Sequence, residues 1–525
     1  MLSGVHIVRP AALLIASLGC GSASPGGAAP DPPSGGSTQP RSDELFSEPA
    51  EYRVRPVSVE AGREHFVELG MGDPYGAGIA YPIFLGLRAG YPDALGDDWR
   101  AFDRLYGTIV DPAHDADPQA LPVGFHLTTD PYTRVEFLVM SCALCHSDRI
   151  RMADGDRVVV GMGNPRLRIH AYDRALTNLA LDPSLDEERL LRLATREAQA
   201  RGVRWPQEAR RAIVRESIRR LRELAVKRRE GVEHIGDGTP GRVATIEGFT
   251  IALNARYDAG IPLPEHVGWA KIPDVAPYRW RETIAFDAAA VGAPVALVAE
   301  GDFVFGVRPE WLESHRHIAT SMHLYLRGFE RELDYPGPID RAKAERGRLA
   351  FEEACSGCHG SYGALGAGWD RVAYRERIVP RDVVGTDGTR LDAVTDAFVE
   401  TANAFPWSRG LTHARRTDGW VPRPLVDVWA RGLYGHAGQW PDLYVLATPP
   451  EERPTRFVVR AAEPFDLTRI GTPWRAVTDG DTPDLASGEY LYDASTPGLG
   501  VEGHPFLSDL AQRDRDAVLE YLKTL

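Results

Sequence analysis

Apolar residues recur at helical spacing in several stretches of this chain. From Pro206 onward Val214, Ile218, Leu221 and Ala225 fall on one face, which predicts a helix ending near Gly231. Ser184 followed three residues later by Glu187 has the form of a capping box and predicts a helix running to about Ala200. Asp340 is placed to N-cap a helix through Leu349 and Phe351. Near the C-terminus Val518, Tyr521, Leu522 and Leu525 form the apolar face of a last helix over about 509–525. Gly and Pro punctuate the segments between, which predicts long loops.

The first twenty residues have a different pattern. Arg9 precedes a short apolar run, Ala11 to Leu18, followed by Gly19 and Cys20. This is the layout of an export signal over 1–19, too short to cross a bilayer. A small residue before Cys20 predicts a lipid anchor on that thiol, holding an exported, periplasmic protein to the bacterial cell envelope. Residues 20–44 are rich in Gly, Ser and Pro and read as a flexible tether. No later stretch has the length and apolarity of a transmembrane helix.

At 525 residues the chain exceeds what one hydrophobic core usually organises, so two domains are expected. The break is placed at Tyr335-Pro336-Gly337-Pro338, giving an N-terminal domain over 45–335 and a C-terminal one over 336–525. The predicted helices at about 184–230 form an insertion in the first. A formal charge of −14 speaks against nucleic acid as a partner. One face of the 206–231 helix is dense in arginine (Arg210, Arg211, Arg215, Arg219, Arg222, Arg229) and reads as a solvated charged face, with docking to an acidic partner as the sharper alternative.

Cysteine carries the chemistry. Four of the five cysteines form two pairs, each followed directly by histidine: Cys142-Ala143-Leu144-Cys145-His146 and Cys355-Ser356-Gly357-Cys358-His359. Two thiols one turn apart can bond the two vinyl carbons of a porphyrin, and the adjacent imidazole then ligates its iron. The expectation is two covalently bound haem c groups, held by Cys142 and Cys145 with His146 on the iron, and by Cys355 and Cys358 with His359 on the iron. A shared zinc site leaves both histidines unexplained. A disulfide would close only a tiny, strained loop.

The second axial ligand decides what each haem does. The methionines are Met1, Met71, Met140, Met152, Met162 and Met322, so none follows the second motif. Beyond His359 lie His413, His436 and His504. His504, in a Gly-flanked loop before the last helix, is the favoured sixth ligand. His436 is the alternative, or a cofactor-pocket residue bonding a propionate, and His413 reads as a surface residue. For the first iron Met162, His170, His126 and Met140 are the nearby candidates, and the position is left open or weakly ligated.

Taken together, these residues resemble the dihaem cytochrome c peroxidase superfamily, and within it the dihaem rubber oxygenase-like branch. The resemblance rests on Leu121-Pro122-Val123-Gly124-Phe125, on the first haem motif with Val159 to Pro165 behind it, and on Pro424 to Gly438, which contains Tyr434-Gly435-His436-Ala437-Gly438. Pro449 to Arg453, Gly503-His504 and the terminal Glu520 to Leu525 complete it. It implies a mainly α fold of two cytochrome c-like haem domains, a reactive N-terminal haem and an electron-transferring C-terminal one. In the rubber oxygenase-like branch a histidine near the C-terminus ligates the second haem, which again points to His504. The peroxidases carry a distal histidine in the loop where this chain has Met162, and a methionine on the second haem that this chain lacks.

Two functions follow as expectations. One is an oxidoreductase acting on O₂ or peroxide at the N-terminal haem, partnered by a redox protein or a small-molecule oxidant. The other is a non-enzymatic electron-transfer cytochrome.

Overall fold

A computed structural model describes residues 56–525 apart from 115–116, 118, 131, 153–154, 293–303, 305, 405–411 and 479. The expected signal, tether and lipid-bearing Cys20 lie outside the described residues. Among those described, no helix is long and apolar enough to cross a membrane.

The mainly α expectation is corrected: the chain is mixed α/β, with helices set among six small sheets of two or three strands within the described residues. The strands come from short β-branched and aromatic runs that lack any helical period. Ser147–Met152 pairs antiparallel with Gly155–Val160 directly after the first Cys-x-x-Cys-His motif. Phe125–Thr129 pairs with Glu136–Met140 just before it. Near the C-terminus Arg456–Arg460 is the central strand between Trp474–Ala476 and Glu489–Asp493. A cysteine-bearing turn thus emerges from one hairpin and enters another, in place of the helical frame expected.

Helices supply the rest of the frame. Asp340 caps Arg341–Ala354 by accepting from the Lys343 N–H at 2.9 Å, as its sequence position predicts. That helix crosses the terminal helix Gln512–Leu522, with Phe351 edge-on to Tyr521 at 5.4 Å between centroids. The crossing is close because Gly347 lies against the Ala517 carbonyl, where a Cβ has no room.

The predicted insertion forms as two helices, with different ends. Asp186, not Ser184, caps Glu187–Ala200 through the Arg189 N–H, while the Ser184 hydroxyl turns to Asp182. The next helix begins at Arg210 and continues past Gly231 to Ile235. Gly231 is kept inside it because the helix packs there against Ile251, leaving no space for a side chain. The arginine face of this helix is largely neutralised by ion pairs: Arg211 with Glu188, Arg215 with Glu187, Arg219 with Glu216 and Glu223, Arg229 with Glu233. Those pairings match the solvated-face reading and leave little net charge for docking.

Two large cores organise the interior. An aromatic core of Phe84, Trp99, Phe102, Tyr106, Phe125 and Tyr172 lies under the insertion, with Phe84 and Trp99 stacked at 5.2 Å. The second joins residues flanking both Cys-x-x-Cys-His motifs, from Phe66, Ile150 and Met162 to Phe351, Trp429, Val518 and Tyr521. It runs without a break across the Tyr335 to Pro338 segment, and the described residues cluster as one compact unit.

Candidate functional site

Each cysteine motif folds into one tight turn. In the first, Cys142–Leu144 is a 3₁₀ turn, and the Cys142 carbonyl accepts the N–H groups of Cys145 at 3.2 Å and His146 at 2.9 Å. In the second, Ser356–His359 is a helical turn whose Cys355 carbonyl accepts from Cys358 and His359, both at 3.0 Å. Both turns thus carry a histidine one residue beyond a pair of thiols one turn apart. Neither Cys-x-x-Cys pair is closed by a disulfide. Burial pushes the Cys145 and Cys355 thiols up to about 12, which keeps them protonated rather than poised as thiolates for redox exchange. Among the described residues no group of three or more His, Cys, Asp or Glu could hold a bare metal ion, so the two halves do not converge on a zinc site.

Both proximal candidates are oriented in the same way. His146 Nδ1 lies 2.9 Å from the Pro273 carbonyl, and His359 Nδ1 lies 2.8 Å from the Arg423 carbonyl. A carbonyl can only accept, so each Nδ1 carries the proton and donates. Each Nε2 is left with its lone pair, the state a metal-ligating imidazole requires. Burial lowers the pKa of both rings and holds them neutral.

Opposite His359 stands His504, with ring centroids 6.2 Å apart. With a metal–nitrogen bond of about 2.0–2.1 Å and roughly 1.1 Å from nitrogen to ring centroid, two imidazoles sharing one iron stand about 6.3 Å apart. The observed spacing meets that requirement. The loop that presents His504 is held firmly. His504 adopts a left-handed backbone (φ 49°), and its N–H donates to Val384 at 2.6 Å. The Arg453 guanidinium donates to the carbonyls of Val501 at 2.9 Å, Gly503 at 2.6 Å and His504 at 3.3 Å. Burial, reinforced by His359, lowers the His504 pKa to about 3, so its ring too is neutral.

The remaining candidates take other places. His436 is buried and stacks on Trp420 at 4.0 Å between centroids. Its Nε2 is enclosed without a partner, and burial lowers its pKa to about 4. His413 is exposed on a short strand. His170 accepts the Ala244 N–H through Nε2 at 3.0 Å, so that nitrogen serves the fold rather than an iron. Met162 is buried with its sulfur 4.0 Å from Arg331 Nη2, in the loop whose Gly161 N–H donates to the His146 carbonyl. The ring beside His146 is Phe66, at 6.3 Å between centroids, and it offers no ligating atom.

Between the two motifs lies a charged cluster that sequence reasoning missed. The Asp274 carboxylate receives Arg331 at 2.7 Å and Arg431 at 3.1 Å, and Arg331 reaches on to Asp427 at 2.8 Å. Burial works to raise Asp274, but Arg331 and Arg431 outweigh it and hold the carboxyl at about 2. Arg423 is buried as well, with Nη1 donating to the Asp274 carbonyl at 3.1 Å. Its Nε and Nη2, and Nη1 of the neighbouring buried Arg281, have no partner within the protein. Arg281 is already paired with Glu376 through Nε at 3.3 Å, so the enclosed donors that an added anionic group would satisfy are chiefly the two of Arg423. A porphyrin carboxylate would have the required charge. The donor set therefore fits haem on three counts: thiol spacing, paired imidazoles and the enclosed donors of Arg423.

No described protein family matches the chain. It is 27% identical over 197 residues to an uncharacterized protein, y4iM, of Sinorhizobium fredii. That match covers 32% of this chain and 42% of the relative.

Proposed function

We propose that this chain is an exported c-type cytochrome carrying two covalent haems, related to the dihaem cytochrome c peroxidase superfamily. In this reading Cys142, Cys145 and His146 hold the reactive group, and Cys355, Cys358, His359 and His504 hold an electron-transferring one. The observation that carries it is the His359–His504 pair at 6.2 Å, each ring neutral, with His359 Nδ1 tied to the backbone.

Bound haem supplies a one-electron iron centre and, where an axial position is open, a place for O₂ or peroxide. The chain's own residues do the rest. Pro273 and Arg423 fix the proximal rings through their carbonyls, and Arg453 fixes the loop that brings His504 over the second site. Phe66 lies beside His146 at 6.3 Å between centroids and has no ligating atom, which is compatible with oxidoreductase chemistry at the first site. The export signal and the lipid on Cys20, which place the protein at the periplasmic face of the envelope, belong to the same proposal.

The test is a pyridine haemochrome spectrum with an intact mass, on protein produced with c-type haem maturation. Two haems per chain are expected, and fewer overturns the reading. Binding of CO by the reduced protein at one haem only separates the oxidoreductase from the carrier, in which neither haem binds it.

A further inference from the structure

The two proximal histidines are joined by an unbroken chain of bonds. His146 Nδ1 donates to the Pro273 carbonyl at 2.9 Å; Pro273 is peptide-bonded to Asp274; the Asp274 carbonyl accepts from Arg423 Nη1 at 3.1 Å; and the Arg423 carbonyl accepts from His359 Nδ1 at 2.8 Å. Arg423 is the only one of these residues that contributes through both its backbone and its side chain. It is 8% exposed, and its guanidinium lies over Phe286 at 4.0 Å, which limits its motion. The Asp274 end is equally fixed, because Arg331 and Arg431 grip the carboxylate of the residue whose carbonyl is in the chain.

Resting on the two-haem reading, we propose that Arg423 is the positioning residue that couples the two haem sites. Its carbonyl orients His359 and its guanidinium fixes the Pro273–Asp274 segment that orients His146. The segment also forms a through-bond electron route between the proximal ligands. Tunnelling falls off less steeply along covalent and hydrogen bonds than across space, and only three hydrogen bonds and short stretches of backbone and side chain separate the imidazoles. The step is a single electron transfer: one site is oxidised as the other is reduced, and no atom changes place. A change of ring orientation at either end also reaches the other through the same residue, since outer-shell partners set the basicity of a ligating imidazole.

The experiment uses the full-length, haem-loaded protein and a photoreduced flavin as electron donor. A laser flash injects an electron, and its redistribution between the two haem absorbances is followed. R423M keeps the backbone carbonyl but removes the link to Asp274; it is expected to slow redistribution about tenfold and to shift the potential of the His146 haem, with haem content measured alongside because the same guanidinium belongs to the haem-facing donors. R423K preserves the charge but not the planar fork, and is expected to fall between R423M and wild type. If R423M does not accumulate as folded protein, R423K alone decides: slower redistribution supports the coupling role, and the wild-type rate refutes it. Wild-type rates and potentials in R423M with both haems attached overturn this inference and leave the two-haem reading standing. A wild-type protein with fewer than two haems overturns that reading first.

Discussion

The rings of His359 and His504 lie 6.2 Å apart between centroids, tilted by 55°, although the residues are far apart in the chain. Their separation is held from both sides, by the Arg423 carbonyl on His359 and by the Arg453 clamp on the His504 loop. H504A in the haem-loaded protein should therefore convert the second haem from a low-spin to a high-spin optical spectrum. H504M should keep it low-spin while raising its reduction potential, because thioether ligation favours the reduced iron. Spectra of the two variants unchanged from wild type would remove His504 from the iron.

The parts of this molecule legible in the sequence are those whose chemistry needs a particular side chain. The Asp340 cap and the placement of His504 near His359 belong to that class. Arg423 and Pro273 escaped notice because they act on the histidines through backbone carbonyls, which every residue possesses. The strands were missed for a different reason. Val158, Val159 and Val160, or Phe457, Val458 and Val459, are too short a run to separate a strand from a buried loop without knowing what pairs with it. The helix past Gly231 shows tertiary packing against Ile251 overriding a local stop signal.

His170 makes stability depend on pH. Burial lowers its pKa to about 4, from about 6.5 in an unfolded chain. Above pH 6.5 the ring is neutral in both states and its hydrogen bond from Ala244 is fully present. As pH falls toward 4 the unfolded chain takes up a proton that the folded one refuses, so stability is lost by about 3 kcal/mol across that window. H170Q can still accept the Ala244 N–H but cannot titrate. Urea unfolding at pH 7 and at pH 4.5 should show a smaller loss on acidification for H170Q than for wild type; equal losses would mean that His170 is charged in the native state.

Gly347 sets how closely the first helix of the C-terminal half approaches the last. Its Cα lies against the Ala517 carbonyl, and an added Cβ must push Arg341–Ala354 away from Gln512–Leu522. In an exposed helix the change to alanine would add stability through helix propensity, by up to about 1 kcal/mol. Here overpacking wins, and G347A should cost about 1–3 kcal/mol net, with a matching fall in Tm. The strain also falls on the Phe351–Tyr521 contact at the next turn, 5.4 Å between centroids. Because Cys355 follows that helix directly, the same variant, if the proposed haems are attached, should broaden the absorption bands of the one at Cys355 and leave those of the other unchanged. A stabilised G347A protein with sharp bands at both haems would show that the two helices can separate without disturbing the cysteine turn.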